Sequence, residues 1–135
     1  MNKVLEYDEA LVRESDIIVF QEICKEKSTF CNSEALLRLK KPSCVLIQIP
    51  SIHIDFSNPQ SMAELERREE MNGVDVRVTS MLKKHGQKSM RTINHPTTFL
   101  FFEIMDEVCD LANLPRFTDA EKLPFLQNDN YMGLP

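Results

Sequence analysis

Three stretches of this chain combine residue types that could move a proton or hold an anion. The first is Asn94-His95-Pro96, at the predicted start of an amphipathic helix. The leading backbone N–H groups of a helix lack intrahelical acceptors and point outward, so an anion or developing oxyanion can sit there beside an imidazole, whose ordinary titration falls near neutral pH. Those are two parts of an acyl- or phosphoryl-transfer site, with a capping or loop-bonding histidine as the plainer alternative. The second stretch is His53-Ile54-Asp55: in extended backbone the two polar side chains share a face, so the carboxylate could orient the imidazole, or both could join His95 around a metal, or they could be a polar loop pair with no catalytic task. The third is basic, Lys83-Lys84-His85 with Lys88 and Arg91 behind it, able to hold one phosphate of a cofactor or simply to form a solvated helix end favoured by the dipole.

The elements that must position these groups follow from periodicity. Apolar Val4, Leu5, Ala10, Leu11 and Val12 among acids predict a helix over 3–14. Ile17–Phe20 and Cys44–Ile49 are continuous apolar runs rich in β-branched residues, the pattern of buried parallel strands. Between them Glu34–Lys41 reads as a helix capped by Asn32 or Ser33 and stopped by Pro42. Strand, helix, strand implies a parallel sheet with helices on its faces, and the loop 50–60 then leaves the carboxyl end of the second strand, the edge where open α/β sheets bind ligands.

Beyond that loop, Ser61 with Glu64 three residues later predicts a capping box for a helix over 62–71, ended by Asn72-Gly73. On it, Arg67, Arg68 and Glu69 among Glu64, Glu66 and Glu70 read as a salt-bridged solvated face, the alternative being an Arg aimed at substrate. Val74, Val78, Met81 and Leu82 predict a further helix to Lys84 with Gly86 as terminator. His95-Pro96-Thr97 opens the clearest helix, running to about Asn113 with Phe99, Leu100, Phe102, Ile104, Met105, Val108, Cys109 and Ala112 as core and Pro115 beyond its end. The segment 115–135, with Phe117, Leu123, Phe125, Leu126 and Tyr131, reads as an irregular tail over a core of 1–114. Two strands are too few for a durable parallel sheet, so either a third lies near Arg91-Thr92-Ile93 or pairing with a second copy or a protein partner completes it.

At 135 residues, 42% hydrophobic and 27% charged, the chain has the size and composition of one α/β domain, a small parallel sheet flanked by helices with a helix-rich C-terminal half. A net charge of −5 argues against a nucleic-acid partner. No apolar stretch reaches bilayer-spanning length and Met1-Asn2-Lys3 leads into acids, so a cytoplasmic protein is expected. Cys24, Cys31, Cys44 and Cys109 include no C-x-x-C pair and read as free thiols, the alternatives being a disulfide framework or a zinc site.

Several of these segments, taken in order, resemble the WcbI-type family of polysaccharide-biosynthesis proteins, acetyltransferase-like and coenzyme A-binding. The matching residues are Asp16–Gln21, Ser33–Leu37, Ile47-Gln-Ile-Pro-Ser-Ile-His53, Leu65 with Arg68-Glu69, and Arg91-Thr-Ile-Asn-His-Pro-Thr97 with Leu100. The resemblance covers about residues 10–115. It implies acyl transfer from coenzyme A to a carbohydrate or other hydroxyl, with His95 as base and Asn94 as orienter or oxyanion donor, and with His53, Asp55, Arg68, Arg91 and Lys84 as candidates to hold cofactor or a sugar-like substrate; no metal is expected. The family's proposed nucleophile is a cysteine in an Asn-Cys-Gln turn after an amino-terminal strand. Nothing upstream of Asp16 matches it, and Cys31-Asn32 has the reverse order, so direct attack by the acceptor is the chemistry implied. The alternative is a catalytically depleted acidic protein that binds a protein partner through an open sheet edge.

Overall fold

The strand Val45–Ile49 (β2) pairs in parallel with Ile17–Gln21 (β1), in register from Ile17 opposite Val45 to Gln21 opposite Ile49. The computed structural model describes residues 4–21 and 33–127. Cys24, Cys31, Asn32 and Tyr131 lie outside the described residues; Cys44 and Cys109 are free and buried. Side chains alternate across a strand, and here both sheet faces are covered. Ile18, Phe20 and Leu46 pack with Val12 of helix α1 (Val4–Glu14) and with Leu36 and Leu39 of helix α2 (Ser33–Leu39). Ile47, with Ile17 and Ile49 beside it, faces the larger core on the other side.

That core is built by helices α3 (Pro59–Asn72), α4 (Thr79–His85) and α5 (Thr98–Leu111), which contribute Leu65, Met81, Leu82, Leu100, Ile104 and Val108. The expected small parallel sheet flanked by helices is therefore the fold. The two strands are less buried than their apolar runs predict, with Val19 and Val45 exposed and Phe20 the single buried residue of β1. Edge position explains this: among the described residues the parallel sheet has only two strands.

The outer edge of β2 is nevertheless partly closed, by a segment expected to be helical. Val74, Val76 and Val78 are all buried and alternate with exposed Asp75 and Arg77, a period of two and not 3.6. The backbone N–H groups of Asp75 and Val76 donate to the Gln48 carbonyl at 2.8 and 3.3 Å, and Gln48 N–H donates to the Asp75 carboxylate at 2.7 Å. Residues 74–76 thus stand in for a third strand, with a side chain replacing one backbone acceptor.

Other boundaries move for local reasons. α3 starts at Pro59 and not after Ser61, because Asn58 accepts from Gln60 N–H at 3.0 Å and proline suits the first helical position. Ser61 Oγ instead accepts from Asp55 N–H at 2.9 Å. Gly73, at φ 60°, ends α3 as expected. The strand expected near 91–93 exists as β3 (Met90–Thr92), but it pairs antiparallel with β4 (His95–Pro96) in a separate hairpin and not with the parallel sheet. Within the described part of the tail, Thr118 and Glu121 form a reciprocal capping box for helix α6 (Asp119–Leu126), where an irregular segment was expected. No described helix is long and apolar enough to cross a membrane.

Candidate functional site

His95 does not open the long helix. It lies in β4, and the helix cap is Thr97, whose Oγ1 accepts from Leu100 N–H at 3.4 Å while donating toward the Lys88 and Ser89 carbonyls at 3.0 Å. Thr97 N–H also donates to the Ser89 carbonyl at 2.9 Å. A buried threonine therefore locks the β3–β4 hairpin to the start of α5, and Pro96, which has no N–H to give, sits in a two-residue edge strand where none is required. His95 thus lies three residues before Thr98, the first helical residue, with Thr97 as the cap between them.

The hairpin tip supplies a different arrangement. Thr92 Oγ1 donates to Asn94 Oδ1 at 3.2 Å and lies 2.7 Å from His95 Nδ1. A hydroxyl has one proton. With that proton on the bond to Asn94, the Thr92 oxygen accepts from His95 Nδ1–H, which leaves Nε2 as the basic ring nitrogen and the Asn94 amide N–H₂ as a donor. The side chain of His95 is exposed, so this nitrogen is open to solvent.

The loop after β2 runs to the same hairpin. Gln21, the last residue of β1, donates from Nε2 to the Pro50 carbonyl at 3.1 Å, and Ile54 N–H donates to the Ile93 carbonyl at 2.7 Å. His53 and Asp55 therefore flank a residue bonded to the turn that carries Asn94 and His95. Asp55 Oδ1 accepts from Ser57 Oγ at 2.6 Å and Ser57 N–H at 3.0 Å, and these bonds, helped by His53, hold its carboxyl below the usual carboxylate range. It is an ionised loop brace.

Of the remaining candidates, Arg91 shares the hairpin and Lys84 does not. Arg91, on β3, donates to Thr98 Oγ1 at 3.2 Å. Lys84 lines a separate cleft with Ser80, Glu103, Asp106, Glu107 and Arg116, an acidic setting ill suited to a phosphate. The basic cluster is dispersed onto protein partners: Lys83 pairs with Glu66 at 2.9 Å, His85 Nε2 with Glu103 at 2.6 Å, and Lys88 stands over the Phe99 ring at 5.1 Å. Among the described residues no group of three or more His, Cys, Asp or Glu side chains is placed to hold a metal ion.

Arg68 and Glu69 do not form a solvated face. Glu69 is fully buried, and its carboxylate accepts from Val78 N–H at 2.5 Å, Thr79 N–H at 3.3 Å and Thr79 Oγ1 at 2.5 Å, capping α4 from α3. Arg68 lines a cleft at the carboxyl end of β2 with Gln48, Pro50, Ser51, Leu65 and Asn72. Residue type alone gives no signal for Thr92, Thr97, Gln48 or Asn72; Thr92 and Thr97 lie inside the Arg91–Thr97 motif and Gln48 inside Ile47–His53.

Residues 57–116 match the sequence profile of the family described as polysaccharide biosynthesis enzyme WcbI. No curated protein matches the chain by sequence. Among solved structures, a native form of WcbI, described as a novel polysaccharide biosynthesis enzyme without a disulfide bond between coenzyme A and one of its cysteines, superposes with a TM-score of 0.73 at 17% identity. That match covers 96% of this chain and 61% of the WcbI chain, so the present chain spans less than two-thirds of that protein's length. Residues 57–116 are thus similar in sequence to the WcbI family, and the chain shares the fold of that WcbI structure over nearly all of its length.

Proposed function

We propose that this chain acts in polysaccharide biosynthesis by binding coenzyme A and transferring an acyl group from its thioester to a carbohydrate hydroxyl. The observation that carries the reading is the His95–Thr92–Asn94 cluster, in which Thr92 Oγ1 bonds Asn94 Oδ1 and His95 Nδ1, with His95 exposed on a hairpin tied to the loop from the carboxyl end of β2. In this scheme Nε2 takes the acceptor's hydroxyl proton as its oxygen attacks the thioester carbonyl. The Asn94 amide donates to the oxyanion that develops. Collapse breaks the C–S bond, and the imidazolium returns the proton to the departing thiolate. His53 and Arg91 stand on the same two segments and are the cofactor- or substrate-holding candidates closest to this chemistry in the chain's own connectivity.

The test is isothermal titration with coenzyme A and acetyl-coenzyme A, followed by turnover assays. Micromolar binding, about −8 kcal/mol, that survives in His95→Ala while turnover is lost supports the reading. No binding of either compound refutes it. A second reading, a protein-binding module, is favoured by the exposed apolar residues Leu111, Leu114, Phe117, Leu123 and Phe125 along α5, α6 and their connection. Sizing separates the two: a lone monomer whose thermal stability is complete without partner or ligand argues against the module.

A further inference from the structure

The cleft at the carboxyl end of β2 carries an observation that the hairpin chemistry does not use. Arg68 Nε is buried and has no hydrogen-bond acceptor. The carboxylate beside it, Glu64 Oε1, stands at 4.0 Å, beyond hydrogen-bonding distance, and is already held by Arg67 through bonds of 2.6 and 3.0 Å. A buried donor without an acceptor is costly, and native structures seldom leave one so, which makes this guanidinium a site in want of an anion. Its surroundings fit one. Gln48, Ser51 and Asn72 place polar side chains around the cleft, while Leu65, Ile49 and Val74 form its apolar wall.

Size and place narrow the ligand. The cleft holds about 220 Å³, less than the roughly 300–1,000 Å³ of pockets that enclose a whole drug-sized molecule. It therefore suits a charged head group and not an entire cofactor. It lies where parallel strands end, the edge at which open α/β sheets bind ligands. We propose that this cleft binds an oxyanion group, a carboxylate or a phosphate, with Arg68 as the charged donor and Asn72 and Ser51 as polar neighbours. The proposal uses none of the groups of the His95 cluster and does not depend on that chemistry.

The experiment is a titration of the ¹⁵N-labelled full chain with inorganic phosphate and, separately, with acetate, following the Arg68 Nε–H and Asn72 side-chain amide signals. A saturable shift at Arg68 Nε–H in either arm supports the site, and the responding arm identifies phosphate or carboxylate as its ligand. Arg68→Lys keeps a positive charge but loses the Nε–H and the planar fork, and should weaken the response, read at the Asn72 side-chain amide, about tenfold. His95→Ala should leave it unchanged, which separates failure of this site from failure of the acyl-transfer reading. Arg68 signals that stay unmoved by both anions overturn the proposal, as does an Arg68→Lys chain that responds like wild type.

Discussion

Glu69 offers the sharpest test of how the molecule holds together. Its carboxylate is 0% exposed and takes three donors: Val78 N–H, Thr79 N–H and the Thr79 hydroxyl. Neither α4 nor its own N-cap residue Val78 supplies a side-chain cap, so this carboxylate from α3 is what satisfies the start of α4. Glu69→Ala strands all three donors; at about 1 kcal/mol or slightly more for each, the low end of the range because water can enter the vacated space, the loss is about 3.5 kcal/mol. Glu69→Gln keeps one acceptor oxygen for the amides and turns its NH₂ toward a hydroxyl able to accept. It forfeits charge assistance and the favourable interaction with the helix dipole, about 1.2 kcal/mol. For a 135-residue chain, about 2.1 cal/mol/K per residue of unfolding entropy converts 1 kcal/mol to about 3.5 °C. The melting temperature, followed by circular dichroism, should then fall by about 12 °C for Glu69→Ala and by about 4 °C for Glu69→Gln. Equal losses for the two variants, or a loss below about 1 kcal/mol for Glu69→Ala, would refute the capping argument.

Three further outcomes are expected. Thr92→Val removes the hydroxyl bonded to His95 Nδ1; under the proposed acyl transfer kcat should drop about tenfold, a loss of about 1.4 kcal/mol, with coenzyme A affinity kept and His95 ring ¹⁵N shifts changed, whereas wild-type kcat and shifts would remove Thr92 from the site. Gly73 and Gly86 have open space where a Cβ would go, so alanine costs backbone strain alone. Gly73, at φ 60° and ψ 45°, should lose about 1 kcal/mol, and Gly86, at φ 65° and ψ −145° in a region almost reserved for glycine, about 2 kcal/mol; urea melts check the order. Glu107 has its carboxyl raised above the ordinary value by burial and by the like charges of Glu103 and Asp110. A raised carboxyl pKa means the folded state binds the proton more tightly, so stability falls as pH rises from the ordinary carboxylate value through the folded one. Glu107→Gln should accordingly melt higher than wild type at neutral pH and lose that advantage in acid; a constant difference across pH would contradict it.

How much of this was legible in the sequence depended on whether a pattern had a local competitor. The strands at 17–21 and 45–49 and the glycine stop at 73 had none, since β-branched runs and an αL glycine admit few other readings. Val74 and Val78 fit a helical period, and only the intervening Val76 betrays the extended one; the choice is settled by Asp75, which bonds Gln48 far away in sequence. His95-Pro96 looked like a helix start because proline suits that position, yet proline also suits an edge strand, and the buried Thr97 next door makes the stronger cap. The capping box Thr118-x-x-Glu121 is local and legible in the sequence, and it specifies α6 by itself. At the site, residue type pointed to His95, Asn94, His53 and Asp55, which the Ile54–Ile93 bond brings to neighbouring segments, but Thr92's role needed the hairpin's register. Glu69 was hidden by its charged neighbours: nothing in Glu64–Glu70 says which carboxylate turns inward.

That inward turn bears on the cleft as well as on stability. Residues four apart share a helix face. Leu65 and Glu69 are both fully buried, so they fix the azimuth of α3, and Arg68 and Asn72 are the next such pair round, the one that lines the cleft. Anchoring by Glu69 therefore aims Arg68. Glu69→Gln retains most of the inward bonds and should leave the Arg68 response to anions within about twofold of wild type, since less than 0.5 kcal/mol of positioning is lost. Glu69→Ala frees the helix to roll toward solvent. In the same phosphate and acetate titrations, run well below its lowered melting temperature, it should weaken the response about fivefold or more, the effect of losing about 1 kcal/mol of preorganisation. An Arg68 response identical in both variants would mean that the apolar contacts of Leu65 alone set the helix's orientation and that the buried carboxylate serves α4 and nothing beyond it.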